Sequence, residues 1–278
     1  MPLNEMRNYI ANENTRLSLE LEKLRGTTVL FYFFDILHRS VDDLQNIINQ
    51  LKKSNKPMNK VDIILHSGGG FIDPAYHLTK MLNEVVESKL TFIVPRYAKS
   101  AATLLACGGD EILMGRSAEL GPLDPQIDFD GIRLSALSVK ATLKMLNQEI
   151  KDGNIEIATI LANRLNALHL GEINSSLSIS KKYLEEILKQ RMFKNNQKSD
   201  KISLIAKNLT EGYTHHSYVI DINEAKRLGL NANLLNDEEQ TIVWQIYQNN
   251  MVLSQLNNIE GQLNEYNTYL NLKRKRII

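Results

Sequence analysis

Four short apolar runs, each followed by a stretch of helical or glycine-rich character, limit what this chain can fold into. They are Thr28–Phe34 (TVLFYFF), Val61–Leu65 (VDIIL), Thr91–Val94 (TFIV) and Ile112–Met114 (ILM). β-Branched and aromatic runs of this kind suit strands covered on both faces, the condition of a parallel sheet. Behind the first run, Ser40 with Asp43 three residues on reads as an N-cap, and Leu44, Ile47, Ile48 and Leu51 recur at helical spacing. Further helices are expected from about Ala75 to Val86, and from near Ser100 to the Gly108-Gly109 pair. The alternation predicts an α/β fold of parallel strands joined by right-handed crossovers. In such a fold the chemistry gathers at the carboxyl ends of the strands.

The flanks differ in character. Residues 1–25 read as an N-terminal helix with a charged face, closed by Gly26. Residues 26–235 hold the α/β domain, with a helical insertion at about 134–208 whose polar joints fall at Asp152–Asn154 and Asn195–Asp200. A β-like piece at Tyr218–Ile220 precedes a helix at Asn223–Leu228 that stops on Gly229. Residues 236–278 form a long helix and a basic tail, giving the chain a mostly helical C-terminal part. There Val252, Leu256, Ile259, Leu263, Tyr266 and Leu270 alternate by four and three, a heptad seam.

Charge and cysteine content narrow the function. Thirty-three basic against 32 acidic side chains leave a net charge of +1, which excludes a domain-wide electrostatic grip on nucleic acid. Only the tail, Lys273–Arg276, is densely basic, so any nucleic-acid role would lie there. The single cysteine, Cys107, excludes an intrachain disulfide and a Cys-based zinc cluster, and inside an apolar helix it reads as a small hydrophobe. No His/Asp/Glu grouping has metal spacing, so no metal or cofactor is expected. The opening MPLNEMRNYIANEN lacks the apolar core of a secretory signal, and no apolar run approaches the roughly 18 residues of a membrane span. A cytoplasmic protein is expected.

Three segments could carry chemistry. His66–Phe71 (HSGGGF) places three glycines after a strand. It lacks the lysine of a phosphate loop and the GxGxxG spacing, which leaves an oxyanion hole or a tight strand-to-helix turn. In Tyr97–Gly109 (YAKSAATLLACGG), Ser100 sits between strand and helix beside Ala101 and Ala102. A nucleophile at a helix N-terminus would want that placement, and so would an ordinary N-cap serine. In Glu119–Ile127 (ELGPLDPQI), two prolines hold Asp124 on a stiff turn, fit for a catalytic carboxylate or a turn cap.

In this order and spacing, the three segments resemble the serine dehydrogenase proteinase (SDH-type) family of Clp-fold serine peptidases. That family is related to signal peptide peptidase A and to the caseinolytic protease ClpP. The resemblance covers about Arg25–Gly131 and resumes at Leu209–Leu230 (LTEGYTHHSYVIDINEAKRLGL). It implies a ClpP/crotonase-like fold, a peptide or protein substrate and a homo-oligomer. It places Ser100 as the nucleophile, with oxyanion N–H groups from Gly69, the first of the Gly69-Gly70 pair, and from Ala101. Gly68 stands where relatives often have proline.

The general base is less determined by the resemblance. ClpP uses a histidine soon after its serine, where this chain reads Leu123-Asp124-Pro125. Signal-peptide-peptidase relatives use a lysine further on, in the window of Lys140 and Lys144, while the SDH-type comparison points to His216. A histidine with pKa of about 6.5 can take a serine proton at neutral pH, whereas a lysine must first be desolvated. His216 oriented by Asp124 therefore ranks first, Lys140 is the alternative base and His215 follows as a neighbour. Two other readings stand beside the peptidase. One is a catalytically weak oligomeric scaffold using the heptad seam, the other a crotonase-like acyl-thioester enzyme that would leave Ser100 idle.

Overall fold

The structure is a computed structural model. It describes residues 2–129, 132–162, 167–195, 199–213 and 215–274, of which 126–129, 132–134, 161, 167–170 and 258–274 are described by backbone alone. The four apolar runs become β1 (Thr28–Tyr32), β2 (Lys60–Leu65), β3 (Lys89–Val94) and, after a two-residue β4 (Tyr97–Ala98), β5 (Glu111–Met114). After β6 (Glu119–Leu120), β7 (Gln126–Phe129) and β8 (Ile132–Ser135), a short β9 (Ala232–Leu234) completes the main sheet. Its order is β1-β2-β3-β5-β9, and every pairing is parallel. β9 has three residues and no apolar run, so nothing in its composition announced a strand. The β7–β8 hairpin, antiparallel, was likewise not expected.

Helices α1 (Leu3–Arg25), α2 (Arg39–Lys53), α3 (Ile72–Val85) and α4 (Ala101–Cys107) lie close to their expected spans. Gly26 ends α1 in the left-handed region at φ 63°, its N–H returning to Glu22 O. α2 begins one residue before Ser40, so Ser40 is not its N-cap. The Ser40 hydroxyl instead accepts the Leu37 N–H at 3.1 Å and the Tyr32 hydroxyl at 3.0 Å. α3 starts three residues ahead of Ala75, because Pro74 falls in the first turn, where a missing N–H breaks no helical bond. The insertion folds as α5 (Ala136–Lys151), α6 (Ile155–Ala162), α7 (Ala167–Gln190) and α8 (Ser199–Glu211), followed by α9 (Ile222–Leu228) and α10 (Asp237–Arg274).

Strand alternation divides the core between two faces. Val61, Ile63, Leu65, Phe92 and Ile112 join α3, α4, α7 and α8 in one cluster. Val29, Ile64, Ile93 and Leu113 point the other way, onto Leu17 and Leu21 of α1 and Ile242, Val243 and Ile246 of α10. Both faces are covered over β2, β3 and β5, while Leu30, Phe31 and Tyr32 of β1 are half-buried; this cover explains why the strands read as continuous apolar runs. The first half of α10 is occupied by its own chain: Asn249 donates to Asn14 at 2.9 Å, and Arg7 reaches Leu256 O at 3.2 Å. Of the heptad seam, Leu256 is buried and Val252 exposed, while the side chains of Ile259, Leu263, Tyr266 and Leu270 lie outside the described residues, as does most of the basic tail. Among the described residues, no helix is long and apolar enough to cross a membrane.

A polar network crosses the apolar face. Asp62, on β2, is fully buried and accepts from Arg25 and from Thr27 Oγ1 at 2.8 Å; Arg25 also pairs with Glu239 at the start of α10. One guanidinium therefore ties α1, the sheet and α10 together. A buried pair broken from one side leaves an uncompensated charge. Arg25→Met should cost about 3–5 kcal/mol in urea unfolding; a loss below about 1 kcal/mol, typical of a surface pair, would show the network to be incidental.

Candidate active site

The main sheet's carboxyl edge feeds a second, smaller ladder. β4 pairs with β6 in parallel. On one side Ser67 bridges Ala98, with Ser67 N–H to Tyr97 O at 3.1 Å and Lys99 N–H to Ser67 O at 3.0 Å. On the other, Leu120 and Ile220 exchange both backbone bonds, at 2.9 and 3.1 Å. Tyr218–Ile220 is therefore β-like at Ile220 alone. Four segments lie side by side, and each runs directly into or out of a candidate residue: the glycine loop, Ser100, Gly121–Asp124, and the turn bearing His216.

Ser100 stands at the N-cap position of α4 but caps nothing. Its backbone sits at φ 50°, ψ −121°, away from the extended geometry of a capping serine, and its side chain makes no cap hydrogen bond. A non-glycine residue there is strained by about 1–3 kcal/mol, which the surrounding bonds must hold. They include Ala102 N–H to Lys99 O at 2.9 Å and the buried Thr103 hydroxyl. That hydroxyl accepts the Gly121 N–H at 3.0 Å and lies 2.7 Å from Ala98 O and 2.8 Å from Gly121 O, one of which receives its proton.

The glycine loop is pressed against this serine. Gly69 and Gly70 have φ of 111° and 139°. A Cβ on Gly69 would stand 2.8 Å from Lys99 O and 3.0 Å from Ser100 Cβ; one on Gly70 would collide with Ile36 O. Gly68 has room for a side chain, a Cβ there standing 3.6 Å from Asp35 Oδ1. The expected donor, Gly69 N–H, is already engaged with Ser67 Oγ at 3.1 Å. Gly70 N–H, on the side away from its bridge to Ile36, and Ala101 N–H, at the open start of α4, have no acceptor among the described residues.

Asp124 and His216 come together. Asp124 is buried, with Oδ1 accepting the Leu137 N–H at 3.0 Å and Oδ2 accepting the Ser135 hydroxyl, at the start of α5. Its Oδ2 also lies 3.5 Å from His216 Nδ1, which is buried and has no closer partner among the described residues.

Residues 24–259 match the profile of the ClpP-like SDH-type serine proteinases. The chain belongs to this family. Among curated proteins, the SDH-type chain is 26% identical over 243 residues to the uncharacterised protein MJ1495 of Methanocaldococcus jannaschii, covering 82% of this chain and 74% of that protein. It is 28% identical over 211 residues to MJ0137 of the same organism, covering 75% of this chain and 65% of the relative. Among solved structures, it is similar to a membrane-bound stomatin-specific protease in complex with a substrate peptide (TM-score 0.48, 15% identity, 76% of each chain). It is also similar to ClpP1 of Listeria monocytogenes (TM-score 0.46, 13% identity, 79% of this chain and 98% of that one).

Several other residues of this SDH-type chain can be placed. Lys140 is exposed and pairs with Glu211 at 2.8 Å, a solvated lysine without the burial that a basic amine needs. Cys107 is buried, and burial pushes its thiol up to about 12, out of reach of thiolate chemistry. His66 is boxed by the rings of Phe33, Tyr97 and Tyr247, with centroids 5.9, 3.9 and 4.9 Å away. Burial, helped by the Arg96 charge, pushes it down to about 4. Sequence reasoning did not single out Thr103, Ser67 or Ser135 as supports, although Thr103 stands three residues after Ser100 in the quoted motif.

Two measurements follow. Ser100→Gly should be more stable than Ser100→Ala by about 1 kcal/mol in urea unfolding, the strain relieved less the extra unfolded freedom of glycine; a Ser100→Gly less stable than Ser100→Ala by about 0.4–1 kcal/mol, the entropy of glycine alone, would mean no strain at Ser100. For His66, the folded value of about 4 lies below the 6.5 of the free side chain. Its contribution is therefore complete above pH 6.5 and is lost as pH falls from 6.5 toward 4, because the unfolded chain takes the proton first. His66→Phe should flatten that limb of the pH–stability curve, and an undiminished slope contradicts the assignment.

Proposed function

We propose that this chain is a serine peptidase that cleaves through an acyl-enzyme on Ser100. The observation that carries the reading is the buried Asp124 carboxylate, fixed at two points and 3.5 Å from His216 Nδ1, on the segment that follows β6, the strand paired with the β4 that leads into Ser100. With the Nδ1 proton turned to Asp124, the His216 Nε2 lone pair is left for the serine. His216 takes the Ser100 hydroxyl proton as Oγ attacks the peptide carbonyl carbon. The tetrahedral oxyanion is received by the free N–H groups of Ala101 and Gly70, with Gly69 shaping the approach. His216 then returns the proton to the leaving amine, and water releases the acyl group by the same steps in reverse. The chain order Ser–Asp–His is no obstacle, since such a triad is defined by geometry and roles.

A fluorophosphonate probe tests this directly. Wild type should label, Ser100→Ala should not, and His216→Gln should slow labelling by about 10²–10⁴-fold. Lys140→Ala should leave the rate unchanged. Undiminished labelling of Ser100→Ala removes the nucleophile, and a collapse on Lys140→Ala moves the base to that lysine.

A further inference from the structure

Lys99, directly before the nucleophile, has a side chain that the proposed chemistry leaves unused. It does not extend into solvent. The chain folds back across Gly121, where a Cβ would stand 2.7 Å from Lys99 Cδ and 3.4 Å from its Cα. The side chain is 18% exposed, and its Nζ lies 3.1 Å from Leu120 O, 3.3 Å from Tyr218 O and 3.4 Å from a Glu119 carboxylate oxygen. Its three N–H donors thus have three acceptors, two of them backbone carbonyls on different segments.

Those segments lead to the two other members of the site. Leu120 begins the rigid stretch to Asp124, and Tyr218 lies two residues beyond His216. Apart from Lys99, the turn bearing His216 is held by Ser217 N–H to the His215 ring at 3.1 Å, Tyr218 N–H to His215 O at 3.1 Å, the pairing of Ile220 with Leu120, the approach of His216 to Asp124 and the Tyr218 ring against Tyr213 at 4.5 Å; none of these joins the backbone after His216 directly to the strand before Asp124 except Ile220. The same residue's backbone reaches the glycine loop through Lys99 N–H to Ser67 O. Lys99 therefore touches the loop before the glycines, the strand before the aspartate and the turn after the histidine, while carrying Ser100 as its neighbour.

We propose that Lys99 is a positioning residue whose ammonium clamps the histidine turn onto the aspartate strand, so that Asp124 and His216 meet beside the serine. The inference rests on the serine-peptidase reading. Burial pushes the Lys99 pKa below the ordinary lysine value, with the Glu119 carboxylate opposing that shift. A charge kept at that cost in so enclosed a place fits a binding role better than a solvated one. Methionine has nearly the same length and no donor, whereas arginine restores the donors and the charge.

The experiment is saturation labelling by a fluorophosphonate probe of full-length wild type, Lys99→Met and Lys99→Arg, each with thermal melting and amide hydrogen exchange. Lys99→Met should lower the maximal labelling rate about 10–100-fold while leaving the probe's half-saturation concentration unchanged. Lys99→Arg should recover part of that rate. Exchange in Lys99→Met should rise over 215–220 and not over the main sheet. If wild type fails to label, the peptidase reading itself falls. If wild type and Lys99→Met label alike, Lys99 does not position the base. If both variants lose labelling in step with a general rise in exchange and a lowered melting temperature, Lys99 serves stability alone and the proposal is overturned.

Discussion

The candidate site depends on a ladder only two residues deep. β4 and β6, extended by single bridges to Ser67 and Ile220, bring side by side four segments widely separated in sequence. Each pairing fixes a register, and register in turn fixes which residue emerges next. Gly69 can lie against Ser100 only because Ser67 is bonded to Tyr97 and Lys99. Asp124 reaches His216 only because Leu120 holds Ile220. So short a ladder cannot stand alone in water, where even an isolated hairpin is marginal. It is stable because it grows from the edge of a sheet whose central strands β2, β3 and β5 are covered on both faces.

That dependence ties the polar network at Arg25 to the site without any contact between them. The buried guanidinium joins α1, β2 and α10, and so closes the face of the sheet away from the crossover helices. Both faces must be closed for β2 and β3 to end at a defined edge. Strain at Ser100 can be stored only on such a scaffold, since a frame that yields would relax the serine into an ordinary N-cap.

Most of the sheet was legible because a doubly covered strand writes itself as an apolar run, and four of the five main strands did so. β9 escaped because an edge strand of three residues, Ala232–Leu234, needs little hydrophobicity once β5 provides the pairing. The β7–β8 hairpin follows the Asp124 turn and carries no long run. At the candidate site, Ser100, Asp124 and His216 stand out in the sequence as residue types in a family order, but the groups that support them do not. Thr103, Ser67 and Ser135 act through hydroxyls, and a serine or threonine in a sequence does not show which backbone group it will meet. Gly69 illustrates a finer limit: the sequence marks a glycine pair that presents N–H groups, but which one stays free is decided by Ser67 Oγ.

The same physics bears on the choice between histidine and lysine as base. A lysine base needs a buried amine without a strong anionic partner, so that its neutral form is populated near neutral pH. Lys140 has neither condition, being exposed and paired with Glu211. Lys99 is partly buried, and burial lowers its pKa, but Glu119 opposes that shift and its three N–H donors are taken up by Glu119 and two backbone carbonyls. His216 alone is paired with a buried carboxylate through one ring nitrogen and keeps a second nitrogen for another partner. On the proposed reading, these surroundings favour the histidine as the base and leave the lysine beside the serine to hold its turn.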